Sequence, residues 1–364
     1  MLINKQVVFN ILIFVFAFLF TTEAQLKTER QWPSYRGFMS SGVLDHANLP
    51  ETFNPEKSVN IKWKVNVPGL GLSSPVIWDN KLFITTAVSQ FDNQGIKTGI
   101  YGDGLPVPDS SIHDWKVICM DKFSGKTIWE RIAYSGVPKI KRHPKSTHAN
   151  ASVATDGNYV VAFFGSEGLY CYDFNGKLVW SKNFGVLKSV AFDYPAAEWE
   201  FASSPVIYNG ILVIQCDVLE NSFLATYDLK SGKELWKVKR NDHPSWSTPN
   251  IYKNGNRAVI AINGYKRRGG YDLSTGKEIW SMSGGGDVPI PTPIIGNGII
   301  YFNSAHGSSS PILAVSAVAA GDITLRSGSK TNEYVKWSIP RGGSYIHSLL
   351  LYHGYLYNVN WNGT

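Results

Sequence analysis

The sequence predicts an all-β protein, a propeller of four-stranded blades. Three observations predict it: 34 glycines and 18 prolines set among short apolar runs, a turn element that occurs four times, and a second element that marks six sheet starts. With 364 residues, 43% hydrophobic and 13% aromatic, the chain has ample material for a large core, which excludes disorder. No long amphipathic helix is visible, and frequent turns favour strands.

The turn element reads Asp121-Lys-Phe-Ser-Gly125-Lys126-Thr-Ile-Trp129 and returns as Asp173 to Trp180, Asp228 to Trp236 and Asp272 to Trp280. Aspartate and serine favour a turn, and glycine supplies the positive φ that a hairpin needs. The second copy is one residue shorter and carries Asn175-Gly176, suited to a two-residue turn; the longer copies suit a three-residue turn with a glycine bulge. The tryptophan follows on the next strand, where a large flat side chain fills the seam between neighbouring sheets.

The second element appears as Ser73-Ser74-Pro75-Val76, Asn150-Ala151-Ser152-Val153, Ser203-Ser204-Pro205-Val206, Ser247-Thr248-Pro249-Asn250, Pro291-Thr292-Pro293-Ile294 and His347-Ser348-Leu349-Leu350. Each copy precedes a short turn and an apolar strand: Lys81 to Ala87, Tyr159 to Gly165, Ile211 to Asp217, Arg257 to Gly264, Ile299 to Ala305 and Tyr355 to Trp361. Each unit therefore holds about four strands. The outer-strand tryptophans Trp63, Trp129, Trp180, Trp236, Trp280 and Trp337 stand 66, 51, 56, 44 and 57 residues apart, a blade-like period. A pair of β-sandwiches would not need one motif at one blade position repeated along the chain.

Closure is the open question of this arrangement. Propellers commonly let an N-terminal strand complete the last blade, which removes exposed sheet edges. Asn60 to Val67 has no earlier strands of its own blade, and Asn362-Gly363 begins a turn with nothing after Thr364. The expectation is five complete blades and part of a sixth, an incomplete ring that is a fragment of a seven- or eight-bladed propeller.

Three segments divide the chain: a signal peptide over 1–24, an N-terminal extension over 25–59 and the propeller over 60–364. Lys5, the apolar stretch from Val7 to Phe20 and Thr22-Glu23-Ala24 have the order of an export signal. The apolar stretch is short for a bilayer span, and Gln25 stands where a lipoprotein would need cysteine. The expected product is exported to the periplasm or cell surface and is not an integral membrane protein. Cys119, Cys171 and Cys216 are too scattered for a disulfide framework or a zinc site and read as core residues. The net charge of +7 points to anionic neighbours such as headgroups, cell-wall polymers or acidic proteins, and no nucleic-acid motif is present.

The repeat resembles the quinoprotein-like (PQQ-like) propeller family, whose blades end in a similar alanine, aspartate, glycine, lysine and tryptophan pattern. The similarity spans nearly all of the chain after residue 24. Trp32-Pro-Ser-Tyr-Arg-Gly37, Ser245-Trp246-Ser247-Thr248-Pro249, and Ile290 to Ile294 through Gly321-Asp322-Ile323-Thr324 are similar to a branch of exported proteins likened to the outer-membrane assembly lipoprotein. The resemblance implies two functions. One is a non-catalytic binding or scaffold module for an envelope protein or an anionic glycan, with no cofactor. The other is a PQQ-dependent alcohol or sugar dehydrogenase holding quinone and calcium, in which Trp246 is a stacking floor and Asp287 and Asn263 are ligands. The adjacent cysteine pair common in those enzymes is missing.

Candidate binding residues stand at the inner-strand starts, which surround the channel of a propeller: His148, Asn150, Trp246, Ser247 and His347. Two basic segments add Lys141, Arg142 and Lys145, and Lys266, Arg267 and Arg268, either as a solvated face or as a site for an anionic partner. The long polar loop over 88–114, with Asp103, Asp109, His113 and Asp114, is a second place where binding or a metal is conceivable, although its spacing fits no fixed ligand pattern. A nucleophile elbow and a phosphate loop are both absent from the sequence.

Overall fold

The computed structural model describes residues 30–45, 47–91, 95–97, 104–191, 194–285, 288–305 and 310–359. The segment 1–24, Gln25, Asp103, Asp287 and the stretch after Val359 lie outside the described residues. Five sheets follow one another, each with four antiparallel strands in chain order and the fourth with a parallel fifth strand at its edge. The first blade comprises Val76–Trp78, Lys81–Ser89, His113–Asp121 and Thr127–Gly136, and the second Ala154–Thr155, Tyr159–Phe163, Leu169–Asp173 and Leu178–Lys182. The third comprises Val206–Tyr208, Ile211–Cys216, Phe223–Asp228 and Glu234–Lys239, and the fourth Asn250–Asn254, Arg257–Ile262, Arg267–Asp272 and Glu278–Ser283. The fifth comprises Ile294–Gly296, Ile299–Asn303, Ile312–Ser316 and Val335–Ile339, and Leu350–Tyr352 with Tyr355–Tyr357 opens a sixth.

The tryptophan-and-glycine element works between blades. In every complete blade the outer ladder slips by one residue beside the tryptophan: Thr226 pairs with Trp236, but Tyr227 pairs with Glu234, and the same slip precedes Trp129, Trp180, Trp280 and Trp337. Such a bulge re-aims the side chain. Trp180 then packs on the turn of the next blade, where a Cβ on Gly232 (φ 70°) would lie 2.6 Å from its ring. Its indole N–H donates to Leu229 O at 2.9 Å. Trp236 repeats the contact with Gly276 and Leu273. Trp63 does so with Gly125 and Lys122, so it occupies an outer-strand position although 60–67 forms no named strand and pairs with none among the described residues.

Trp280 departs from this rule. Its N–H donates to Tyr252 Oη at 2.9 Å, and it is fully buried. An insertion in the fifth blade explains this, because Gly321–Asp322 pairs in parallel with Trp280 and Ser281 and covers the edge of the fourth blade.

The serine-proline element laces the inner strands together. Ser74 N–H donates to Ser152 Oγ at 2.9 Å, Ser152 N–H to Ser204 Oγ at 3.0 Å and Ser204 N–H to Thr248 Oγ1 at 3.0 Å. Thr292 N–H likewise meets Ser348 Oγ at 3.0 Å. A hydroxyl at this position satisfies a backbone donor of the preceding blade, which a buried N–H requires.

The cores lie between blades, as in the cluster of Phe163, Leu169, Leu212, Ile214 and Phe223. All three cysteines are buried and free. Burial pushes the Cys119 and Cys171 thiols up to about 12.

Because each blade is a meander, the turns between its first and second and its third and fourth strands share one face, the turn face. The second-to-third loops and the blade-to-blade connectors share the other, the connector face. Residues 30–43 cross the turn face as a strap. Trp32 exchanges both backbone bonds with Ile77, and Thr155 N–H donates to Pro33 O at 2.8 Å. Asn250 Nδ2 donates to Met39 O at 2.8 Å, and Arg36 Nη2 to Leu349 O at 2.8 Å. The strap thus touches the first, second, fourth and sixth blades.

Candidate functional site

All the candidate binding residues fall on the connector face, but the structure gives them unlike surroundings. The connector over 137–153 and the long loop of the first blade pack on each other, with Val107 N–H donating to Arg142 O at 2.9 Å. This corrects the reading of two exposed basic segments. Arg142 is 1% exposed and donates to Ser146 O, and Arg268 is 0% exposed. Their chain neighbours face outward: Lys141 and Arg267 are exposed, while Lys145 and Lys266 are half-buried. The reason is spacing, because consecutive residues on an extended chain point to opposite sides.

Arg268 donates to Asn263 Oδ1, Gly284 O and Ser304 Oγ, at 3.2, 2.9 and 3.1 Å. With neutral acceptors only, burial lowers it to about 10. Beside it Arg240 pairs with Asp217 at 2.6 Å and with Asp242 at 2.9 Å. Burial and the neighbouring Asp217 push Asp242 up to about 6 in spite of Arg240.

His148 is buried, and its Nδ1 lies 2.5 Å from Glu200 Oε2. Its ring meets the edge of His113 at 5.1 Å, and His113 Nε2 lies 3.4 Å from Asp109 Oδ2. Glu200 is pushed up to about 8 by burial, and Glu167 up to about 7, first by burial and then by Glu200. Glu167 Oε1 accepts Lys139 N–H at 3.0 Å, whereas its Oε2 is buried without a hydrogen bond. His113 and Asp114 belong to the third strand of the first blade rather than to its loop. Among the described residues no three histidine, cysteine, aspartate or glutamate side chains are grouped to hold a metal ion.

Asn150 is held fast: its Oδ1 accepts from Ser146 and Thr147, and its Nδ2 donates to Phe201 O. Ser247 is fully buried and donates to Pro291 O at 2.9 Å. Trp246 is half-buried, donates to Glu200 O at 2.8 Å and lies 5.5 Å from the Trp199 ring. His347 is exposed. Glu167, Trp199, Glu200, Asp217, Arg240 and Asp242 were not among the sequence candidates. For Glu200 a signal exists: it stands four residues before Ser204, as His148 stands four before Ser152, so the repeat itself brings the two together in adjacent blades.

Residues 113–357 match the family described as outer membrane protein assembly factor BamB. The chain belongs to this family. A search of curated proteins finds no match. Among solved structures, the quinohemoprotein alcohol dehydrogenase ADHIIG from Pseudomonas putida is 13% identical with a TM-score of 0.47, over 81% of this chain and 47% of that one. BamB from Moraxella catarrhalis is 12% identical with a TM-score of 0.42, over 83% of this chain and 95% of its own. The quinohemoprotein alcohol dehydrogenase from Comamonas testosteroni is 13% identical with a TM-score of 0.46, over 80% of this chain and 48% of that one. The chain thus spans about half the length of the dehydrogenases it resembles. No helix among the described residues is long and apolar enough to cross a membrane.

Proposed function

We propose that this protein is a non-catalytic propeller, exported to the cell envelope, that binds an envelope protein or an anionic glycan through its connector face. One observation carries the reading: two of the three side chains named for a quinone site, Trp246 and Asn263, are tied into the fold. Asn263 spends its amide on Pro291 O and Asn303 O and its oxygen on Arg268. The Trp246 indole is bonded to Glu200 O. With its amide and its oxygen both engaged, Asn263 does not fit a ligand of a calcium-bound quinone. The connector face instead offers exposed Lys141, Arg267, His347 and Ile346, together with the half-buried Trp246 and Trp199. A family named for outer membrane protein assembly supports a protein partner.

Titration of the purified protein with pyrroloquinoline quinone and calcium tests the reading. No saturable binding and no dye-linked alcohol or sugar oxidation is expected; micromolar binding with turnover overturns it. In crosslinking from envelope extract, a partner captured by the native chain is expected to be lost on replacing Lys141 and His347 with serine. Capture that is indifferent to both changes removes the connector face from the reading. The signal segment has its own test: an intact mass lacking residues 1–24 is expected, and a product retaining them in the membrane fraction shows an anchor.

A further inference from the structure

We propose that the turn face holds a second site, a pocket for a small anionic amphiphile between the strap and the third and fourth blades. This site goes beyond the reading above and lies on the opposite face of the blades. A cavity of about 500 Å³ is lined by Phe38 and Met39 of the strap and by Val206, Tyr208 and Ile251 of the inner strands. That is within the roughly 300–1,000 Å³ of small-molecule sites, which are mostly apolar with a few polar groups at the edge.

Two charged residues line it, Asp156 and Lys253. Asp156 Oδ1 accepts the N–H groups of Asn158 and Tyr159, which turns that oxygen toward its own backbone. Lys253 is exposed and forms no ion pair among the described residues. The chemistry offered is an apolar slot whose one exposed cation, Lys253, can meet a single carboxylate or sulfonate on a planar or acyl body, while Asp156 stays bonded through Oδ1 to its own turn.

The strap is built for this wall. Arg36, Met39 and Ser40 hold φ of 61°, 52° and 49°, a left-handed backbone that non-glycine residues keep only where their surroundings fix it. Two long-range bonds fix it here, Asn250 Nδ2 to Met39 O and Arg36 Nη2 to Leu349 O. Met39 packs against the apolar cluster of Val206, Ile251 and Ile260. The cavity therefore has a formed roof rather than a loose segment lying over it.

The probe is 1-anilinonaphthalene-8-sulfonate, with its uncharged relative N-phenyl-1-naphthylamine as control, followed by fluorescence at fixed protein concentration. One saturable site is expected for each. Lys253→Gln is expected to weaken the sulfonate probe about tenfold, the loss of one charge-assisted contact, and to leave the uncharged probe unchanged. Met39→Trp, which fills the slot from the strap side, is expected to abolish both. The Lys253 variant changes only an exposed side chain, so it keeps the test valid if the strap variant misfolds. The proposal is overturned if a cooperatively melting protein binds neither probe at a single site, if a folded Met39→Trp protein binds both as before, or if Lys253→Gln does not distinguish them.

Discussion

Glu167 sets a pH dependence that can be read from its surroundings. It lies in the short 3-10 turn Gly165–Glu167 of the second blade, 2% exposed. Lys139 N–H, Glu200 and His148 face it, and burial is the largest influence on it. Its acid is pushed from 4.5 to about 7 in the folded chain, so folding favours the protonated form. The stabilisation is full below pH 4.5 and is lost as pH rises through about 7. At about 1.4 kcal/mol per pH unit, the difference amounts to roughly 3 kcal/mol lost between pH 4.5 and 8. Glu167→Gln keeps the acceptor for Lys139 N–H and removes the charge. Urea denaturation at pH 5, 6, 7 and 8, followed by tryptophan fluorescence, is expected to show the native chain falling faster than the variant by about that amount. A residual slope of the same sign remains in both, because burial pushes Glu200 up to about 8. Parallel curves for the two proteins would refute the reasoning, and Glu333→Gln, at an exposed position, serves as the unchanged control.

Gly232→Ala combines a positive φ with a Cβ 2.6 Å from Trp180 and is expected to destabilise by about 2 kcal/mol or more, whereas Gly354→Ala, with φ 82° but open space around it, costs about 1 kcal/mol. Equal losses in thermal melts would show that the tryptophan seam carries no strain. Replacing Lys141 and Lys145 with serine is expected to weaken binding to anionic envelope material and flatten its salt dependence at unchanged stability. Arg142→Ser, which empties a buried site, is expected to lower stability by about 1–3 kcal/mol. If Arg142→Ser instead leaves the melt unchanged and abolishes binding, the buried assignment fails.

The blade count and the roles of both repeated elements were legible because they recur. A glycine that must face an indole and a hydroxyl that must meet the next blade's N–H leave the same residue at the same place several times over. Strand ends were less legible. Tyr159 to Gly165 stops as a strand at Phe163, since Gly165–Glu167 turns into a 3-10 segment. The site was legible in part: the connector positions of His148 and Trp246 follow from the motif, but the ion pairs do not. Asp217 and Arg240 are 23 residues apart and meet only through folding. Arg142 and Arg268 read as surface charge because composition records the sign of a residue, not the side of the strand on which it lies.

The strap has a consequence for presentation. Gln31 is pinned to the first turn of the first blade, with Asp79 N–H donating to Gln31 Oε1 at 2.7 Å, so the strap is fixed to the turn face from its first residues. A surface that covers the strap beside Met39 and Lys253 therefore leaves the loops around His148, Trp246 and His347, on the opposite face, open to a second contact.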